Sequence, residues 1–368
     1  MMHKSVHRPE KLCYSLILMD RIEQHIIRVG SNLREALTRM NSLKGGSMTL
    51  FVANIDGKIE GTLTDGDIRR GLLAGASLAT DVGEVMHREF LFLGEGEDSL
   101  VVTDRARRRG VSLLPRLDSA GRLAGIADLR SMRSVLPLDA VLMAGGKGMR
   151  LRPLTLTTPK PLLPVGGKPI IDHNVDLLRR FGIDNIFATV NYLHEMIEEH
   201  FSMSGEDGVQ PVRCVPEPCA LGTFGSLTLV EGLRHDNLVV MNADLFTDID
   251  FEAMYRRHTE SGASLTIAAV PYTVSVPYAI LHTAGADSID AIEEKPTYNY
   301  FANAGVYIMR REMIGSMKKA ERLDAPDFIE LLLRRGDKVA YFPIEGMWTD
   351  IGSPDDYRCV CELLARKS

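Results

Sequence analysis

The sequence predicts an α/β domain with a mostly parallel sheet, preceded by a smaller α+β module that is duplicated within itself. Three observations carry this. From Asp139 onward, short apolar runs alternate with stretches of helical spacing. Before that point, two segments repeat at a constant offset. Between the two regions, Leu136-Pro137-Leu138 reads as a short extended connection, because proline pushes its predecessor out of helix.

The repeat comes first along the chain. "IDGKIEGTLTDGD" (Ile55 to Asp67) and "SAGRLAGIADLRS" (Ser119 to Ser131) share a turn, an apolar alternation, a glycine and a strand. Gly121 follows Gly57, and Gly125 follows Gly61, by 64 residues; Leu50 and Leu114, Leu37 and Val101, and Val29 and Leu93 keep the same spacing. Each unit reads as helix, strand, glycine turn, strand, helix. A unit of this size cannot bury its apolar face alone, so the two should pack together. The expected boundaries are 1–134 for the module (repeats at about 21–80 and 85–134), 135–138 for the linker and 139–368 for the α/β domain.

In the second region "DAVLMA" (139–144) is a buried strand feeding a glycine-rich loop. Pro169 opens a helix with Ile170, Ile171, Val175 and Leu178 on one face, stopped by Gly182. Strands follow at 185–190, 238–244 and 264–270, with helices at 194–201 and 251–262. In such sheets ligands bind outside the carboxyl ends of the strands. The glycine loop and Asp244 both sit at such ends.

Bulk properties narrow the function. A formal net charge of −6 supplies no general basic field, which argues against a nucleic-acid partner. The apolar stretch 12–19 is short, interrupted by Cys13-Tyr14-Ser15 and closed by Asp20, so neither a signal peptide nor a membrane partner is expected. Five cysteines without a CxxC pair or zinc spacing fit a reduced interior, and the expected location is the cytoplasm.

Against this acidic background, "AGGKGMRLRPLTLTTPKPLLPVGGKP" (144–169) is wholly basic in its charges. Backbone N–H groups of a glycine turn can point inward at phosphate oxygens. Two familiar loops do not fit: GxxxxGK[ST] is absent, and GxGxxG fails because Leu151 occupies its third glycine. A bare glycine turn would read as a simple sharp turn; the basic tail is what points to an anion.

The full string resembles the signature of the sugar-1-phosphate nucleotidyltransferases. It has Leu142, then Ala144 to Thr155, Pro159-Lys160-Pro161-Leu162-Leu163-Pro164-Val165 and Gly167-Lys168-Pro169; Met143 and Met149 are its departures. Later segments keep the family's order: "EPCALGTFGSL", where Phe224 is unusual; "MNADLF", where Ala243 replaces a commoner glycine; "IEEKP"; "NAGVYI"; and "MWTDIGSPDDY". The resemblance covers about Asp139 to Tyr357. It implies a Rossmann-like, GT-A-like domain in which a sugar-1-phosphate oxygen attacks the α-phosphorus of an NTP and pyrophosphate leaves.

On that reading Ala144, Gly145, Gly146 and Gly148 hold the triphosphate. Arg150 grips phosphoryl oxygens, Lys160 meets the α-phosphate and Lys295 the sugar phosphate. Asp244 and Asp350 hold Mg²⁺, whose hard oxygen ligands suit few protein contacts. A lone strand-end Asp would more often be a cap or turn residue; two in this motif context read otherwise. Glu294 and Asn303 bind sugar hydroxyls, although Glu294 also reads as a solvated charge, and Trp348 reads as packing. Glu217 and Gly222 lie in the base-reading segment. Guanine presents N1–H and N2–H₂ donors that a carboxylate accepts, so Glu217 favours GTP.

The duplicated module resembles a tandem CBS pair, which in other proteins binds adenine nucleotides. Thr64 and Asp67 fit its ribose-binding pattern, whereas Asp128 and Ser131 stand at those places in the second repeat. The alternatives are a regulatory nucleotide site and a surface for a homo-oligomer. The whole layout is similar to guanylyltransferases of surface-glycan synthesis. A catalytically silent nucleotide or nucleotide-sugar sensor of the same fold is the competing reading.

Overall fold

The computed structural model describes residues 22–43, 47–94, 96–203, 211–283, 285 and 287–366. The apolar stretch 12–19, with Cys13, lies outside them. The chain forms two compact units: Met1–Pro137 with Asp176–Asn185 and His200–Pro211, and Leu138–Val175 with Ile186–Glu199 and Val212–Ser368.

In the first unit β1 (Ile26–Arg28) lies parallel to β2 (Thr49–Ala53), which pairs antiparallel with β3 (Ile59–Thr64). Helix Leu33–Ser42 begins where Asn32 accepts from the Glu35 N–H at 3.0 Å, and it buries Leu33, Ala36 and Met40. The second repeat has helix Ser99–Arg108, capped by Asp98, then β4 (Leu113–Leu117) antiparallel to β5 (Leu123–Asp128).

The 64-residue offset reaches down to single hydrogen bonds. Asn54 Oδ1 accepts from the N–H groups of Asp56 and Lys58, at 3.0 Å each. Asp118 Oδ1 accepts from Ala120 and Arg122, at 2.9 and 2.8 Å. The register slips at Val52/Ala53 and again at Arg116/Leu117. Gly57 and Gly121 have φ of 82° and 74°, which the turns need and which glycine adopts without steric cost. The two hairpins meet edge to edge, with the Ile59 N–H donating to the Gly121 carbonyl at 3.0 Å. Phe51, Ala53 and Ile59 share one apolar cluster with Leu113, Leu117 and Ile126, so each repeat buries the face the other cannot cover.

The repeats end differently. Thr64 and Asp67 form a capping box that starts helix Asp65–Leu73. No helix follows β5. Asp128 accepts instead from the Arg130 N–H and guanidinium, at 3.0 and 2.9 Å, and Ser131 cannot return the carboxylate that completes such a box. The helix expected there is replaced by a turn.

The residues read as a linker also differ from expectation. Val135 and Leu136 are buried, and Leu138 already opens β6 (Leu138–Met143). Consecutive apolar residues held extended by Pro137 find a core instead of solvent.

The second unit continues with the short pair β7 (Pro164–Val165) and β8 (Lys168–Pro169), then β9 (Ile186–Val190), β10 (Arg213–Pro216), β11 (Asn237–Asn242), β12 (Leu245–Thr247) and β13 (Leu265–Ser275). After these come β14 (Ile280–Thr283), β15 (Ile289–Glu293), β16 (Thr297–Arg310), β17 (Val339–Pro343) and β18 (Trp348–Asp350). Among the described residues, seven strands make one sheet in the order β10-β9-β6-β11-β16-β13-β17. Only β16 runs against its neighbours. The unit is an α/β fold with a mostly parallel sheet.

The strand interiors are continuous apolar runs, as burial on both faces demands. Val141, Phe187, Leu238, Val240, Leu265 and Met309 pack with Phe328 and Leu332 of helix Ala325–Arg335. A second cluster (Leu151, Leu163, Val165, Ile170, Phe246, Ile351 and Val360) lies beneath the loops that follow β6 and β11.

Candidate active site

The glycine loop leaves β6 in line with the sheet. Ala144 is buried and its N–H donates to the Thr189 carbonyl at 2.8 Å, extending the β6–β9 ladder by one bond. Its backbone N–H is thus part of the sheet. At Gly145 a Cβ would sit 2.8 Å from Glu217 Oε1, whereas Gly146 has open space on that side. Gly148 has φ 57°, and a Cβ there would stand 2.9 Å from Thr155 Cγ2 and 3.2 Å from Lys160 Cβ. Its carbonyl accepts from Thr155 Oγ1 at 2.8 Å. Tyr192, just past β9, donates its hydroxyl to the carbonyls of Thr155 and Leu156 at 3.1 and 3.3 Å. Thr155 and Tyr192 thus tie the loop down. Sequence reasoning gave neither a role, although "VNY" at a strand's carboxyl end was the available signal.

Lys160 begins a short 3₁₀ turn between Pro159 and Pro161, and it is buried. Its ammonium donates to the Asp244 carboxylate and lies 3.4 Å from Asp350 Oδ1. The two acids come from distant places, and a two-stranded ribbon joins them. In it β12 runs antiparallel to β18, with Leu245 opposite Asp350, and the Ile351 N–H donates to the Asp244 carbonyl at 3.2 Å. Arg150 completes the cluster, 3.8 Å from Asp350 Oδ2, with its guanidinium stacked against Gly352, where a Cβ would meet it at 2.9 Å. A buried ammonium needs a carboxylate partner, and here it has two.

The same donors suit a divalent cation. Asp244 and Asp350 offer hard oxygens, converge on one positive charge, and are 28% and 41% exposed. Among the described residues no larger group of acidic, histidine or cysteine side chains converges in this way. Two carboxylates with room for phosphate oxygens and water fit Mg²⁺, which keeps much of its hydration shell.

Glu217 follows β10. Its Oε2 accepts from the Leu221 N–H at 3.0 Å, its carbonyl accepts from Asn191 Nδ2 at 3.1 Å, and burial pushes its carboxyl above the usual range. Gly222 has φ 73°, and a Cβ would lie 2.3 Å from Asp324 Oδ1; Gly225 is as close to the Glu321 carbonyl. These glycines let the segment lie against 321–324, where the Leu323 carbonyl accepts from Phe224 and Gly225. Phe224 is fully buried against Phe328 and Tyr307, with ring centroids 4.6 and 5.2 Å away.

Glu294 and Lys295 are exposed between β15 and β16, Lys295 at a φ of 45°. Asn303 donates to the Tyr307 hydroxyl at 2.9 Å and accepts from the Gly305 N–H at 3.0 Å. It lies where the β13–β16 register shifts. Trp348 donates its indole N–H to the Ala304 carbonyl at 2.9 Å, which links the ribbon to that irregularity.

The family profile of the nucleotidyl transferases matches residues 139–367. The chain belongs to the nucleotidyl transferase family. It is 34% identical over 229 residues to the mannose-1-phosphate guanyltransferase of Saccharomyces cerevisiae, covering 60% of this chain and 63% of that one. It is 31% identical over 227 residues to the mannose-1-phosphate guanylyltransferase of Mycobacterium tuberculosis, covering 60% and 62%. The chain thus spans a little under two thirds of the length of these curated relatives. Among solved structures, HddC from Yersinia pseudotuberculosis complexed with GMP-PN aligns over 61% of this chain and 99% of that one, at 24% identity and a TM-score of 0.46. No helix among the described residues of this nucleotidyl transferase is long and apolar enough to cross a membrane.

Proposed function

We propose that the chain transfers GMP from GTP to a sugar-1-phosphate, giving a GDP-sugar and pyrophosphate. The observation that carries this reading is the convergence of Lys160, Arg150, Asp244 and Asp350 beside a glycine loop at the carboxyl ends of parallel strands. The guanylyltransferase relatives lend it support.

A phosphate oxygen of the sugar-1-phosphate forms a bond to the α-phosphorus of GTP, and the bond from that phosphorus to the β-bridging oxygen breaks. Both reactants are anions, so the work is alignment and charge neutralisation. Gly146 offers the open face of the loop to the triphosphate. Arg150, whose guanidinium is exposed beside Asp350, neutralises the charge that builds on the departing pyrophosphate. Lys160 turns its ammonium from the carboxylates to the α-phosphoryl oxygens, where charge grows in the transition state. Asp244 and Asp350 hold Mg²⁺, which when bound polarises the phosphoryl oxygens and offsets their charge. Glu217 accepts from the guanine edge, Lys295 receives the phosphate of the sugar-1-phosphate, and Glu294 and Asn303 bind its sugar hydroxyls. For Asn303 this means exchanging its Tyr307 contact for a hydroxyl.

Lys160→Ala is the direct test. Removing a transition-state charge partner lowers kcat by ~10²-fold or more; a change confined to KM would reduce Lys160 to a binding group.

The duplicated module we read as a tandem CBS pair, with one nucleotide held at Thr64 and Asp67. Both side chains are engaged in the capping box, and Asp67 also meets Arg70 at 2.5 Å, so a ribose must share that carboxylate. Calorimetry of the full chain with AMP, ADP and ATP checks this, and an Asp67→Asn variant that binds equally well would place the ligand elsewhere.

A further inference from the structure

The separation of Asp244 and Asp350 is set by a ribbon only three residues long on each strand, and three pairs are little to hold two like charges together. Its far end is closed by a side chain. Asp248 Oδ1 accepts from the Met347 N–H at 2.6 Å, and the Asp248 N–H donates to the Met347 carbonyl at 3.1 Å. Gly346 faces the same carboxylate: a Cβ there would lie 2.1 Å from Asp248 Oδ1 and 2.9 Å from its Cγ, so no other residue fits without expelling Asp248. The ribbon is thus fastened at one end by the Asp244–Ile351 bond and at the other by Asp248.

We propose that Asp248 is a positioning residue for the two metal-holding acids. By clasping Met347 it fixes the register of β18 against β12, and so the distance between Asp244 and Asp350. This rests on the reading of those acids as Mg²⁺ ligands. Asp248 acts through hydrogen-bond geometry at the end of the ribbon opposite Asp244 and Asp350. Its isosteric amide, which can still accept from Met347, should therefore replace it.

The experiment measures free Mn²⁺ by electron paramagnetic resonance in mixtures of protein and GTP, with GTP alone as the blank, alongside the Mg²⁺ concentration for half-maximal pyrophosphate release. Asp248→Ala should weaken Mn²⁺ retention by ~10-fold, the lower end for losing a group that orients a ligand. Asp248→Asn should restore it. Gly346→Ala attacks the same clasp from the other strand and should mimic Asp248→Ala, which keeps the question open to test if Asp248→Ala does not fold. Asp244→Asn separates the two claims. If it abolishes retention while Asp248→Ala, folded by thermal melt, leaves it unchanged, the positioning role is overturned. If Asp244→Asn changes nothing, the metal reading itself has failed. An Asp248→Asn variant as impaired as Asp248→Ala would make the charge the active property and also overturn the proposal.

Discussion

At the scale of single residues, Glu217 and His258 show burial acting on chemistry in opposite senses. Burial raises the Glu217 carboxyl, yet the side chain keeps the Leu221 N–H and abuts Gly145. If it reads guanine, Glu217→Gln loses a charge-assisted acceptor worth ~1.5–3 kcal/mol. The ratio of kcat/KM for GTP over UTP should then fall about tenfold or more; an unchanged ratio would move base recognition to other groups. His258 is buried between Thr266 Oγ1 and Asn237 Oδ1, at 2.8 and 3.2 Å, and burial lowers its pKa to about 4. The unfolded chain then binds a proton near pH 6.5 that the folded chain refuses. This stabilisation is present above pH 6.5 and is lost as pH falls towards 4, at up to ~1.4 kcal/mol per unit. Denaturant melts of His258→Gln across pH 4–7 should show a shallower slope than the parent. A slope as steep as the parent's would mean that His258 titrates normally in the fold.

At the scale of elements, the sequence was most legible where local rules decide. Strand β6, helix Ile170–Arg180 and its stop at Gly182 follow from an apolar run, an amphipathic face and a left-handed glycine. The 64-residue repeat was readable because its turns are local. The convergence of Lys160 with Asp244 and Asp350 was legible only through family resemblance, since the acids are brought together by a ribbon between strands about a hundred residues apart in sequence. No periodicity reports such a pairing. The missing helix after β5 had a signal in the sequence, since Asp128 and Ser131 stand where Thr64 and Asp67 form the capping box, but the repeat pattern outweighed it. Phe224 is unusual in its segment, and its position explains it. The ring fills the space between Phe328 and Tyr307. Phe224→Ala should cost ~3–5 kcal/mol, the range for emptying a buried aromatic site. The melting temperature reads this directly, and a loss below about 1 kcal/mol would mean that the core collapses to fill the gap.

At the scale of the whole molecule, a duplicated module with its own shared core precedes a nucleotidyl transferase domain whose charged cluster lies at the sheet's carboxyl edge. The proposed transfer reaction rests on the second unit. The decisive measurement is Mg²⁺-dependent pyrophosphate release from each of the four NTPs against a panel of sugar-1-phosphates, run in parallel on the parent chain and on Asp244→Asn and Asp350→Asn. The account predicts release with GTP ahead of the other nucleotides, for at least one sugar phosphate, and none from either variant, because an amide cannot supply the charge that holds the metal. Release that persists at parental rates in both variants, or no release from any nucleotide with any sugar phosphate, would contradict it.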